Sequence, residues 1–156
     1  MRKQVNAILE KLLLGILTVM LLSVIWQVFS RFVLGNPSTV TDEVASFSLM
    51  WLGLYGAAYA SGKRLHLAID LIPERTIAKA PLFFHGIVAM AVVAFALVVM
   101  VVGGVNLCLV TFQLQQQSAT LEIPLAYIYS AVPLSGLLIA YYSIDTFFKE
   151  KSLKQS

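Results

Sequence analysis

Residues 30–43 read "SRFVLGNPSTVTDE" and separate two apolar runs, at 12–34 and 43–61. Arg31 closes the first run, Asp42 and Glu43 open the second, and seven residues between Leu34 and Asp42 make the turn. Each run is near or above the roughly 20 residues that a helix needs to cross the hydrocarbon of a bilayer. The stretch therefore reads as the tip of a hairpin between two membrane-spanning helices. Further apolar runs at 82–112 and 124–148 extend the reading to four spans.

Composition agrees. Of 156 residues, 59% are hydrophobic and 12% charged, with a mean hydropathy of +0.84. A water-soluble chain of this size cannot hide so much apolar surface, whereas lipid accepts it once backbone groups bond within helices. The predicted fold class is an all-α integral membrane protein forming one domain over 1–156. Four transmembrane helices follow an N-terminal interfacial helix at 1–11, in which Val5, Ile8, Leu9 and Leu12 recur at helical spacing among polar residues. The apolar stretch after "MRKQ" is too long for a signal-peptide core and reads as a retained first span.

Charge placement orients the chain. With four spans, the N-terminal residues, the 62–81 connection and the C-terminal residues share one side. That side holds Arg2, Lys3, Lys11, Lys63, Arg64, Arg75, Lys79, Lys149, Lys151 and Lys154, ten of the eleven basic residues, and leaves Arg31 on the other. Both termini are accordingly expected in the cytoplasm. The net charge of +3 carries no nucleic-acid signal in such a chain. In the 62–81 connection, His66 and Asp70 lie one helical turn apart, and a short interfacial element ending near Pro73 is expected.

The third run, about 46 Å long at 1.5 Å per residue, exceeds a hydrocarbon core of about 30 Å. It must tilt, emerge, or bend near Gly103-Gly104. Pro133 removes a bond inside the fourth run and predicts a kink.

Ionisable groups are almost missing from mid-depth, where each one is expensive and marks an ion or substrate path. His85 and Asp145 lie near the expected cytoplasmic boundary, with Lys149 one turn beyond Asp145. No paired histidines are available for haem, no constellation for catalysis or metal binding, and Cys108 packs as a small hydrophobe. Catalytic residues, metals and cofactors are all expected to be absent.

The second run offers a packing surface instead. Gly53, Ala57 and Ser61 recur at i, i+4, i+8, with Gly56 and Ala60 on the adjacent row and Trp51 and Tyr55 flanking it. Small residues in this pattern let another helix approach closely, from this chain or from a larger membrane partner. At the hairpin, Arg31 and Glu43 lie at similar depth. Either they pair, or Arg31 snorkels to headgroups while the acids favour a helix N-terminus.

These residues, in this order, resemble the small permease subunit of tripartite ATP-independent periplasmic (TRAP) transporters. The resemblance rests on "SRFVLGN", the acid-led span "DEVASFSLMWLGLYGAAYA", the basic "GKRLHLAID" and the fourth-span entry "SATLEIPLAYIYSAVPLSG". The chain departs from the family pattern at Val40-Thr41, where a Trp is common, and at Ser46, where a basic residue is common. The resemblance implies a non-catalytic subunit in a bacterial inner membrane. Its partners would be lipids, a large permease subunit and a periplasmic binding protein, in a sodium-driven import of an organic acid such as a C4-dicarboxylate or a sialic acid. It matches Arg31 and Glu43 to an outer-edge pair, Trp51 and Gly56 to a second-span motif, His66 and Asp70 to a cytoplasmic turn, and Pro124 and Pro133 to a fourth-span motif. Gly53 and Ala57 join these as structural or partner-facing residues.

On the expected outer side, Asn36, Ser38, Thr39, Gln115, Gln116, Gln117 and Glu122 are either wet loops or a docking surface for the binding protein. Two other classes compete. A self-sufficient four-helix transporter wants a deep acid in its first span, which here offers only Thr18 and Ser23. A redox-enzyme anchor wants the missing histidine pair.

Overall fold

The computed structural model describes the backbone of residues 2–63 and 81–153, and the side chains of 4–63 and 87–146. His66 and Asp70, and most of the element expected over 62–81, lie outside the described residues; so do the side chains of His85 and Lys149. The described chain is helical: α1 (Arg2–Phe32), α2 (Thr39–Gly62), α3 (Pro81–Phe95), a π-helical stretch (Ala96–Gly103), α4 (Gly104–Gln113), α5 (Leu125–Tyr129) and α6 (Ala131–Leu153). Three helical stretches, Gln4–Phe32, Ile87–Gln113 and Leu125–Thr146, are long and apolar enough to span a membrane. The helix α2 is not among them, because Ser46, Ser48, Tyr55, Tyr59 and Ser61 dilute its apolar residues.

The separate arm expected over 1–11 is not a separate element. Nothing between Arg2 and Leu14 breaks a helix, so the arm runs straight into α1 as one helix of 31 residues. Leu9 is buried, and Asn6 accepts a 2.6 Å hydrogen bond from the Tyr142 hydroxyl of α6. The arm thus packs on the bundle.

Helices α1 and α2 form an antiparallel hairpin. The helix α2 also packs along α6, which in turn meets α3 and the π stretch. The buried residues are mostly small: Ala58, Ala96, Ala126, Ala131 and Ala140, with Ser30, Ser61, Thr111 and Ser135. Each of these four hydroxyls donates to a carbonyl of its own helix at 2.7–3.0 Å, so none is buried unsatisfied. Large apolar side chains such as Leu22, Ile25, Phe32, Val98 and Met90 point outward. That inversion suits helices held by close backbone approach in lipid, where hydrophobic burial gives little drive.

A π-helical stretch that the sequence did not announce, Ala96–Gly103, ends at the Gly103-Gly104 pair. It lies where two backbones touch. A Cβ on Gly136 would come 2.7 Å from Met100 Cβ and 3.0 Å from the Ala96 carbonyl, and one on Gly104 would come 2.9 Å from Pro133 Cδ. The break expected from Pro133 falls at Ser130, between α5 and α6. Pro133 cannot bond the carbonyl of Tyr129 four residues back, so the helix restarts there and Pro133 sits harmlessly in the first turn of α6.

Candidate functional site

The bundle has two ends, and long-range bonds identify them. At one end Asn6, Gly62 and Tyr142 meet: the Tyr142 hydroxyl donates to Asn6, and the Tyr142 ring covers Gly62 so closely that a Cβ there would lie 2.8 Å from it. Lys63 follows at the same end, with its ammonium 5.0 Å from the Tyr59 ring centroid. Hydrogen bonding to Tyr59 raises its pKa above the ordinary value. Midway, Trp51 Nε1 donates to the Ile128 carbonyl at 2.9 Å, and Tyr55 packs edge-on to Trp51. At the other end Gln27 meets Asp42 and Ser118 meets Glu43.

That other end contains most of the polar residues singled out in the sequence. Gly35 makes the hairpin turn at φ +66°, a conformation that favours glycine. The Asn36 N–H donates to the Ser30 carbonyl at 3.2 Å, and the Ser38 N–H to the Ser30 hydroxyl at 3.2 Å. Ser38 is the N-cap of α2. The second connection, 114–124, folds back on itself. Gln116 N–H donates to Thr111 at 3.1 Å, Ser118 N–H to Ile123 at 2.9 Å, and Leu125 N–H to Gln116 at 3.0 Å. Gln115 and Glu122 take positive φ, 49° and 54°. Gln115, Gln116, Gln117, Glu122 and Asn36 are exposed.

The pair imagined between Arg31 and Glu43 is not formed. The Glu43 carboxylate accepts from the Ser118 hydroxyl, from the Thr120 N–H at 3.2 Å and from the Leu121 N–H at 3.0 Å. Its neighbour Asp42 accepts from Gln27 Nε2 at 2.8 Å. Arg31 is exposed, with its guanidinium 5.9 Å from the Phe32 ring centroid. A carboxylate flanked by three inward donors gains more from them than from a long, solvated cation. Ser118, Thr120, Leu121 and Gln27 were missed by the sequence reading. The "SATLEIP" motif held three of them, but nothing local links it to an acid 75 residues earlier.

The small-residue row of α2 divides. Ser61, next to buried Gly62, is buried against the rest of the chain, Gly56 and Ala60 are half-buried, and Gly53 and Ala57 are exposed. A Cβ at Gly53 or Gly56 would meet nothing within 4 Å. Among the described residues, no three His, Cys, Asp or Glu side chains gather as metal ligands. Thr18, one of the deep polar groups of the first run, donates to its own helix at Leu14.

A bundle with capped connections at one end and, among the described residues, a helix face left open has the character of an assembly subunit. A family model described as "Tripartite ATP-independent periplasmic transporters, DctQ component" matches residues 20–151. The chain belongs to this family. The TRAP small permease subunits it resembles include "Sialic acid TRAP transporter small permease protein SiaQ" of Vibrio cholerae serotype O1, 24% identical over 153 residues, covering 95% of this chain and 84% of that one. Another is "C4-dicarboxylate TRAP transporter small permease protein DctQ" of Rhodobacter capsulatus, 26% identical over 109 residues. That match covers 69% of this chain but about half, 47%, of the relative. The protein is thus a non-catalytic, multi-pass membrane subunit of the TRAP small permease family, which implies a large permease and a periplasmic binding protein as partners.

Proposed function

We propose that this subunit crosses a bacterial inner membrane four times, braces the large permease with the open face of α2, and offers its outer connections to the binding protein. The transporter imports an organic acid of the sialic acid or C4-dicarboxylate class on a sodium gradient, by analogy with the solutes that name its relatives.

One observation carries the fourth span. The helix α2 follows the chain from the 118–121 turn into the Leu125–Thr146 stretch rung by rung: Glu43 beside Ser118–Leu121, Trp51 beside Ile128, Gly62 beside Tyr142. At 1.5 Å per residue its 24 residues extend about 36 Å, enough for a hydrocarbon core of about 30 Å. A helix that runs beside an apolar span shares the depth of that span, even with a more polar sequence. Asn6, Lys63 and Tyr142 then fall on one side, and the ten-to-one basic asymmetry supports the cytoplasm as that side. Arg31, Glu43 and the glutamine-rich loop face the periplasm.

The bracing role is supported by Gly53, Gly56 and Ala57, a close-approach surface that the described residues leave unfilled. Reconstitution tests the whole reading. Proteoliposomes containing this chain with its large permease and binding protein should take up solute when sodium is higher outside, whereas this chain alone should take up none. Uptake by the lone chain would overturn the proposal. For orientation, cysteines placed at 36 and 152 in a Cys108→Ala background should react with an impermeant periplasmic reagent at 36 only.

A further inference from the structure

We infer that Glu43 is a positioning residue for docking: through the 118–121 turn it sets the shape of the outer loop that meets the binding protein. The inference rests on the periplasmic docking role proposed above and assigns it a control point.

The loop has an unusual backbone. Two non-glycine residues, Gln115 and Glu122, hold left-handed φ, a conformation that persists only where the surroundings over-determine it. Part of that determination is local, in the bonds from Ser118 to Ile123 and from Leu125 to Gln116. The rest comes from another helix. The Ser118 hydroxyl and the backbone N–H groups of Thr120 and Leu121 all turn inward to one carboxylate on α2. Charge-assisted bonds of this kind are about twice as strong as neutral ones. With those donors drawn in, Gln115, Gln116, Gln117 and Glu122 are left facing solvent.

Asp42 and Glu43 also divide the work. Asp42 ties the head of α2 to Gln27 of α1, and Glu43 ties it to the loop. Both outer connections are therefore indexed to the same turn of α2, so that the hairpin tip and the glutamine loop form one surface.

The test uses the complete transporter in proteoliposomes with added binding protein. Glu43→Gln keeps the side chain's size but replaces one acceptor oxygen with a donor that opposes the loop N–H groups. Its half-saturating binding-protein concentration should rise several-fold, by more than the maximal uptake rate falls, with the yield of intact complex preserved. Amide exchange at 118–121 should quicken. Ser118→Ala should act in the same direction, and the double variant should fall short of the sum of the two, as for direct partners. Gln116→Trp, which alters the surface itself, reports separately on whether the loop docks anything. A shift for Gln116→Trp but none for Glu43→Gln overturns the inference and leaves the docking role standing. No shift for either variant overturns both. A parallel loss of complex yield and maximal rate without a change in half-saturation makes Glu43 merely structural and also overturns the inference, as does unaltered exchange at 118–121.

Discussion

Gly62 and Gly53 lie on the same helix and do opposite things. Gly62 is pressed against the Tyr142 ring, where a methyl group would have to displace an aromatic side chain. At Gly53 the same methyl group would meet nothing within 4 Å. Elsewhere the contrast repeats, with Gly104 and Gly136 in tight backbone contact and Gly56 open. In lipid a glycine on a helix face is a place where another backbone can come close. Whether that backbone belongs to the same chain is the information that the sequence withholds. The filled glycines hold this subunit together, and the open ones bear the bracing role proposed for α2.

The largest effect that would break this comparison is expected at Gly136. Gly136→Ala forces Met100 and the Ala96 carbonyl to yield, and overpacking of this kind costs about 1–3 kcal/mol. At about 2–4 °C per kcal/mol for chains of 150 residues or more, the melting temperature of the purified subunit in detergent should fall by several degrees. Gly53→Ala should leave it unchanged or raise it slightly, since Ala is the better helix residue by roughly 0.5–1 kcal/mol. Gly53→Leu should still fold alone, yet copurify poorly with the large permease. Equal losses of lone-chain stability at positions 53 and 136 would abolish the distinction.

An intermediate effect is expected at Gly62, because its neighbour is a side chain. Tyr142 cannot swing freely while its hydroxyl is bonded to Asn6 at 2.6 Å. Tyr142→Phe removes that bond, at a net cost of about 1 kcal/mol. It also lets the ring give way, so Gly62→Ala should cost less in the Tyr142→Phe background than in the native one. Thermal melts of the two singles and the double measure this coupling, and strict additivity would show that the hydroxyl does not pin the ring.

Much of this architecture was legible in advance, and the parts that were not share a cause. Apolar runs and their interruptions are local, so the helices, the hairpin at 30–43 and an interruption close to Pro133 could be read directly, whereas the π stretch at Ala96–Gly103 could not. Family membership was legible too, through motifs in order along the chain. The arm expected over 1–11 is continuous with α1 rather than a separate element, and its spacing did not reveal that Asn6 and Leu9 meet the bundle. The composition of α2 hid a different fact: Trp51, Ser61 and Tyr55 are polar groups facing its own chain, so apolar content understates how closely it follows the neighbouring helix. The partner of Glu43 was the hardest to see. The hairpin offered only Arg31 as a partner, or no partner beyond the helix N-terminus, whereas the fold brings up three donors from a loop far away in sequence.

Arg31 gives the smallest effect and the finest test of that last point. It is exposed, with its guanidinium near the Phe32 ring, and exposed charges outside a network typically change stability by no more than about 0.5 kcal/mol. Arg31→Gln should therefore leave the melting temperature of the lone subunit unchanged within error, while Glu43→Gln should lower it by weakening the bonds to 118–121. The double variant should equal the sum of the two to within about 0.3–0.5 kcal/mol, as for independent sites. The exchange Arg31→Glu with Glu43→Arg should be no better than Glu43→Arg alone, because an arginine at position 43 would confront the Ser118, Thr120 and Leu121 donors with another donor. Recovery by the exchange, or a coupling well beyond additivity, would mean that the two residues do meet and that Glu43 is shared between Arg31 and the loop. Independence would place Arg31 with Gly53, among the groups this chain leaves free for lipid headgroups or for its partner.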